Sequence, residues 1–209
     1  TWKPFEDESC AWFDPVWMFG VKEGFEIVIG NPPYVRQEAI KELKPFLKNY
    51  RVYTGTSDLY TYFYEASFNL LKTAGILAFI TSNKWMRTAY GEKLRNFLLT
   101  ETSLLQLIDF KGKQVFDATV DTNILLFAKG PAGKAQALQV GSELPGVEIP
   151  LVLMPQSSLN KKGFNLGNAE VQALKAKIEA RGVPLKEWEV KINYGIKTGF
   201  NEAFIIDTT

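Results

Sequence analysis

Asn31, Pro32, Pro33 and Tyr34 follow directly on Phe25-Glu26-Ile27-Val28-Ile29-Gly30, a short β-branched run that ends in glycine and reads as a buried parallel strand. Open α/β sheets collect their ligands at the C-terminal ends of such strands, so the place and the composition of the tetrapeptide agree. Each proline fixes its own φ and lacks an N–H, and Pro32 holds Asn31 out of the helical region. The segment is therefore stiff and rich in acceptors. An amino group on a heteroaromatic ring is a poor nucleophile, because its lone pair is delocalised into the ring. The Asn31 side-chain oxygen and the Pro32 carbonyl can accept its two hydrogens and leave the lone pair facing a methyl donor, with no general base needed before attack. Tyr34 can lie flat on the base, where stacking is worth roughly 1–3 kcal/mol.

The elements that position this segment follow from periodicity. Residues 1–24 read as an ordered, aromatic lead-in, and residues 35–56 as a polar stretch in which Arg36, Lys41, Lys44, Lys48 and Arg51 outnumber Glu38 and Glu42. That stretch is either a solvated face or a contact for phosphates. A helix is expected from Ser57, its N-cap, with Leu59, Phe63, Ala66, Leu70 and Leu71 at helical spacing and Gly75 closing it. Strand 76–81 follows. Strand, helix and strand in this order give a βαβ unit and a parallel sheet. A second helix is expected over 90–99 with Leu94, Phe97 and Leu98 inward, then strands over 104–110 and 122–128. Residues 130–150 have a linker's composition. Ala169 to Arg181 reads as a helix stopped by Gly182 and Pro184, and residues 193–201 as a turn-rich entry into a β-domain.

Composition narrows the chemistry. The 209 residues, 46% hydrophobic and 22% charged, suffice for one α/β core, and a net charge of +1 restricts any nucleic-acid affinity to local patches. No histidine is present, which excludes Ser-His-Asp and Cys-His nucleophiles and His-ligated zinc. Cys10 is the one cysteine, so there is no internal disulfide or cysteine metal cluster, and a lone thiol fits a reducing cytoplasm. The apolar runs are far short of the ~20 residues of a membrane helix, so no membrane partner is expected. The chain opens on Thr1 and ends within an apparent strand, as a piece of a longer polypeptide would.

Residues 25–130 resemble the gamma class of N6-adenine DNA methyltransferases, in particular the large fused restriction-modification enzymes of type IIG. Asn31-Pro32-Pro33-Tyr34 matches that family's catalytic motif. The helix opening at Asp58-Leu59-Tyr60-Thr61-Tyr62-Phe63 is similar to its next motif, 80–85 to the following strand end, and 121–127 to its late strand; 195–202 resembles the opening of a target-recognition domain. The resemblance implies a Rossmann-like S-adenosylmethionine-dependent methyltransferase fold of the α/β class, present as the C-terminal half of its sheet. It implies a catalytic half over 1–130, a linker over 131–166, and a connecting helix with the start of the recognition domain over 167–209. It assigns catalysis to Asn31, Pro32, Pro33 and Tyr34, cofactor contacts to Pro33, Leu59 and Phe63, and stacking on the flipped adenine to Tyr34 and Phe127, with Phe116 as rival. The partners implied are double-stranded DNA and the rest of the same polypeptide. The family's acidic, glycine-spaced cofactor loop has no counterpart in this sequence, so the chain alone is expected to be inactive. A protein-glutamine or RNA-base N-methyltransferase, or a DNA-contacting module without catalysis, are the alternatives. Asp109-Phe110-Lys111 and Glu189-Val190-Lys191 imitate half of a nuclease metal site without the partner acid such a site requires.

Overall fold

In a computed structural model, residues 13–111, 115, 120–133, 137–142, 151–166 and 169–190 are described. They fall into two units, Thr1–Leu166 and Gly167–Thr209. The first unit opens with a single-turn helix α1 (Pro15–Phe19), started by Asp14, whose carboxylate accepts from two main-chain N–H groups, and stopped by Gly20 in the left-handed region. Strand β1 (Phe25–Gly30) follows, then a short helix α2 (Lys44–Leu47), helix α3 (Tyr60–Leu70), strand β2 (Leu71–Ser82), helix α4 (Glu92–Glu101) and strands β3 (Thr102–Asp109), β4 (Thr122–Lys129), β5 (Ala137–Gly141) and β6 (Val152–Pro155). The second unit contains α5 (Ala169–Arg181), on the residues expected for it. The tail at 193–202, Cys10 and Phe116 lie outside the described residues, as does Lys191 of the second nuclease-like triplet. No described helix is long and apolar enough to cross a membrane.

The six strands form one sheet in the order β1-β2-β4-β3-β5-β6. β1 and β2 are parallel across the crossover helix α3, as the βαβ reading requires. The sheet is nevertheless mixed, because β4 runs antiparallel between β2 and β3. A strand's direction and its neighbours are set by which apolar edge it covers, and the local pattern of residues 122–128 carries no record of either. Residues 131–166, expected to be a linker, depart further from expectation. β5 joins β3 and β6 joins β5, and the turn after β6 buries Gln156, Leu159 and Phe164. Gln156 donates to the Thr102 carbonyl and accepts from the Leu104 N–H, so this segment is tied to the sheet.

Register places the core. Val28, Leu77, Phe127 and Leu104 form one cross-strand row, and Phe79, Leu125 and Leu107 the next. Apart from half-buried Val28 these side chains are buried, and they pack in one cluster with Tyr64 and Phe68 of α3 and Leu94, Phe97 and Leu98 of α4. The opposite face is also apolar, with Ile27 beside Ile76, Ile29 beside Ala78, and Ile80 beside Ile124. There Ile27 is 63% and Ile29 80% exposed. Helix α3 ends at Leu70, before Gly75. Gly75 instead lies within β2, where its pairing with β1 shifts register and a Cβ would meet the Phe25 carbonyl oxygen at 2.8 Å. Ser57 does not cap the helix; its hydroxyl is bonded to that of Thr54.

Candidate active site

The C-terminal ends of β1, β2 and β3 lie at one edge of the sheet, with the start of β4 between β2 and β3. Asn31-Pro32-Pro33-Tyr34 leaves β1 at this edge, where Gly30 is in register with Phe79. Asn31 and Pro33 are exposed, Pro32 is buried and Tyr34 is half-buried. The segment is thus anchored through one proline and one ring, and the amide of Asn31 is presented outward. The Tyr34 hydroxyl reaches the Ile80 carbonyl of β2 at 3.4 Å, a marginal hydrogen bond, and its ring meets the edge of Tyr60 with centroids 6.4 Å apart. Tyr60 in turn shares a 2.9 Å hydrogen bond with Tyr90. Burial raises the Tyr34 hydroxyl above the ordinary tyrosine range, so it stays protonated near neutral pH.

The loop between the tetrapeptide and α3 closes on itself beside the site. The Leu59 N–H donates to the Val35 carbonyl at 2.9 Å and the Gln37 N–H to the Asp58 carboxylate at 3.2 Å. Ile40, Leu47 and Val52 pin the excursion to the core. Arg51 is not available to phosphates: it pairs with Glu65 and Glu101 and lies 4.6 Å over the Phe97 ring. The Lys44 ammonium is likewise engaged, by Gln37 and the Gly55 carbonyl. Arg36, Lys41 and Lys48 remain of the basic stretch.

A buried polar row closes the apolar rows at the same edge, with Thr81, Asn123 and Asp109 adjacent across three strands. The Tyr64 hydroxyl bonds Thr81 at 2.8 Å, and the Asn123 side-chain oxygen accepts from Thr81 and from the Trp85 indole, each at 3.1 Å. The indole can only donate, which fixes the Asn123 amide orientation and leaves its Nδ2 without a partner among the described residues; Thr122 Oγ1 is the other such atom. Asp109 is held by Asn83 and Arg87. Tyr60 was among the apolar residues at helical spacing on the expected helix, and none of Tyr90, Thr81, Asn83 or Arg87 was singled out by spacing. Tyr60 carried a faint signal, lying beside Leu59 on the expected helix, while the others owe their place to strand pairing.

Of the cofactor contacts expected, Pro33 and Phe63 are exposed and Leu59 half-buried. Apolar side chains are of the kind that suits one face of an adenine ring. Phe127 does not belong to the site. It is fully buried in the middle of the core, in register with Leu77 and 6.4 Å from Phe68, at the C-terminal end of α3. An aromatic this far down β4 fills the core, and only a residue at the strand's beginning lies near the tetrapeptide. No group of three or more His, Cys, Asp or Glu capable of holding a metal exists among the described residues.

Residues 3–116 match the family model described as Eco57I restriction-modification methylase. The type II methyltransferase M.XhoI of Xanthomonas vasicola is 30% identical over 207 residues, a match covering 88% of this chain and 38% of that protein. The type II restriction enzyme and methyltransferase RM.Eco57I of Escherichia coli is 33% identical over 108 residues, covering 49% of this chain and 11% of its own length. The chain therefore spans well under half the length of these relatives. Among solved structures, the type IIG restriction endonuclease BpuSI aligns with 74% of this chain and 22% of its own chain, at a TM-score of 0.51 and 14% identity, a likeness of fold.

Proposed function

Because the chain belongs to the Eco57I restriction-modification methylase family, we propose that it is the catalytic half of a DNA methyltransferase that alkylates N6 of an adenine flipped out of the duplex. The observation that carries the reading is the stiff tetrapeptide at the sheet edge, with Pro32 buried, Tyr34 half-buried and Asn31 exposed. Asn31 Oδ1 and the Pro32 carbonyl accept the two amino hydrogens and hold the nitrogen pyramidal, and Tyr34 stacks on the ring. S-Adenosylmethionine supplies an electrophilic methyl group when bound. The nitrogen's lone pair would form the new bond to carbon as the methyl–sulfur bond breaks and its electron pair returns to sulfur, and the nitrogen's surplus proton would pass to solvent. Pro33, Leu59 and Phe63 offer an apolar surface to the cofactor's adenine. The charged part of that cofactor is held by residues outside this sequence.

The uncovered sheet face supports this division. β1 has no strand on its outer side among the described residues, and Ile27 and Ile29 project from it exposed. A β-branched parallel strand is stable when both faces are covered. The cofactor-binding strands and helices of a longer polypeptide complete the fold there, and residues 167–209 lead into its recognition domain. Such a protein resides in the cytoplasm, with its DNA. The test is Asn31→Ala in the full-length protein: methyl transfer to DNA falls at least a thousandfold while duplex binding persists. Retained transfer refutes the role of Asn31.

A further inference from the structure

We propose that Arg87, braced by Asp109, binds a backbone phosphate of the target strand; the inference rests on the DNA methyltransferase reading above. Asp109 is the last residue of β3 and only 1% exposed. Its Oδ1 accepts from Asn83 Nδ2 at 2.7 Å and from the Lys111 N–H at 3.2 Å, and its Oδ2 from Arg87 Nη2 at 2.7 Å. A carboxylate buried this deeply needs a cation. The cation provided is a side chain that is itself 64% exposed. Asp109 therefore grips one corner of a guanidinium whose other donors, Nε and Nη1, are free among the described residues. A guanidinium is planar and offers five N–H donors in a rigid fork matched to phosphate oxygens. Held at one corner, it pays less ordering entropy on meeting a second anion.

The surroundings favour a polyanion. Lys84, in the same turn as Arg87, and Lys111 are exposed at this edge. Arg95 adds a further basic segment. It is 1% exposed and donates to the carbonyls of Trp85 and Thr88 on one side and of Lys161 and Lys162 on the other, which sets the exposed Lys161 and Lys162 alongside the turn that carries Arg87. Lys161 makes a loose 3.8 Å pair with exposed Glu92. Asp109 is consumed internally, leaving exposed Asp121 as the acid at the start of β4. Asp109 thus serves as an anchor for a cation, where its sequence context had imitated a nuclease acid.

Position fits the substrate. Three strand spacings separate the ends of β1 and β3, about 14 Å. A DNA strand carries a phosphate every ~3.4 Å of axis, so a strand whose adenine lies on Tyr34 brings phosphates a few nucleotides away within reach of Arg87.

The experiment measures affinity of the full-length protein for the duplex site it methylates, across potassium chloride concentrations, for wild type, Arg87→Lys and Arg87→Gln. Both variants lose the fork, and only Arg87→Gln loses the charge. The expected result is weaker binding in both, with the slope of log affinity against log salt shallower by about 0.9 in Arg87→Gln than in Arg87→Lys. Equal slopes overturn the proposal, whatever either variant does to the melting temperature, because an ion pair that only staples two loops changes stability and not counterion release. A wild-type protein that neither binds nor methylates duplex DNA removes the methyltransferase reading itself, and this inference with it.

Discussion

Tyr34 is the residue at which packing and chemistry separate most cleanly. Its hydroxyl makes a marginal contact with the Ile80 carbonyl, whereas its ring packs on Tyr60. Tyr34→Phe therefore keeps methylation within a few-fold of wild type, and Tyr34→Ala loses the stacking of ~1–3 kcal/mol, roughly 5- to 150-fold in transfer rate. Single-turnover assays on the full-length protein read both. The tetrapeptide was legible in the sequence because its properties are local: two prolines and an amide need no distant partner to be stiff and accepting. Phe127 was misplaced for the opposite reason. Its aromatic character was visible, but its depth in the core depends on the register of β4 against β2, which no local pattern states. Asp109 was set aside as an imitation of a nuclease acid, but its actual partners were not legible, since Asn83 and Arg87 meet it only once β2, β4 and β3 are aligned.

At the scale of elements, α3 and α4 hold the site from beneath, and both carry features that amphipathic periodicity does not reveal. Leu94, Phe97 and Leu98 face inward as expected, but so does Arg95, a buried cation whose partners are main-chain carbonyls of two loops. Gly91 makes room for it: a Cβ there would collide with the Trp85 carbonyl oxygen and lie 2.6 Å from Arg95 Nη1. Gly91→Ala should destabilise the protein by about 2–4 kcal/mol, read as a lower denaturation midpoint, and Arg95→Met should act similarly by orphaning those carbonyls. Helix α3 and the segment before α4 also set a pH limit. Burial raises the hydroxyls of Tyr60, Tyr62, Tyr64 and Tyr90 above their ordinary value. Above pH ~10 the unfolded chain sheds protons that the folded chain retains, so their contribution is complete below pH ~10 and lost as pH rises beyond it. Melting followed from pH 8 to pH 11 should show stability level at first and then falling. An unchanged midpoint at pH 11 contradicts the burial of these rings.

Within the unit Thr1–Leu166, the sheet has one finished face and one unfinished face. The strand and helix inventory was largely legible, because β-branched runs and 3.6-residue spacing are signals within a segment. The antiparallel insertion of β4 and the capture of β5 and β6 by the sheet were not, since both follow from pairing edges far apart in sequence. Ile27 and Ile29 connect the finished and unfinished parts. Replacing both with lysine should make this chain alone less prone to aggregate, and should abolish cofactor binding in the full-length protein by keeping the remaining strands from docking. Light scattering and equilibrium binding of S-adenosylmethionine read the two effects, and unaltered cofactor binding would place the missing half elsewhere. The most direct measurement of all identifies the product. Duplex DNA treated with the full-length protein and S-adenosylmethionine is digested to nucleosides and analysed by mass spectrometry. Wild type is expected to yield N6-methyldeoxyadenosine and Asn31→Ala none; methyl groups on a ring carbon, or undiminished N6-methyldeoxyadenosine from the variant, would contradict the role of Asn31.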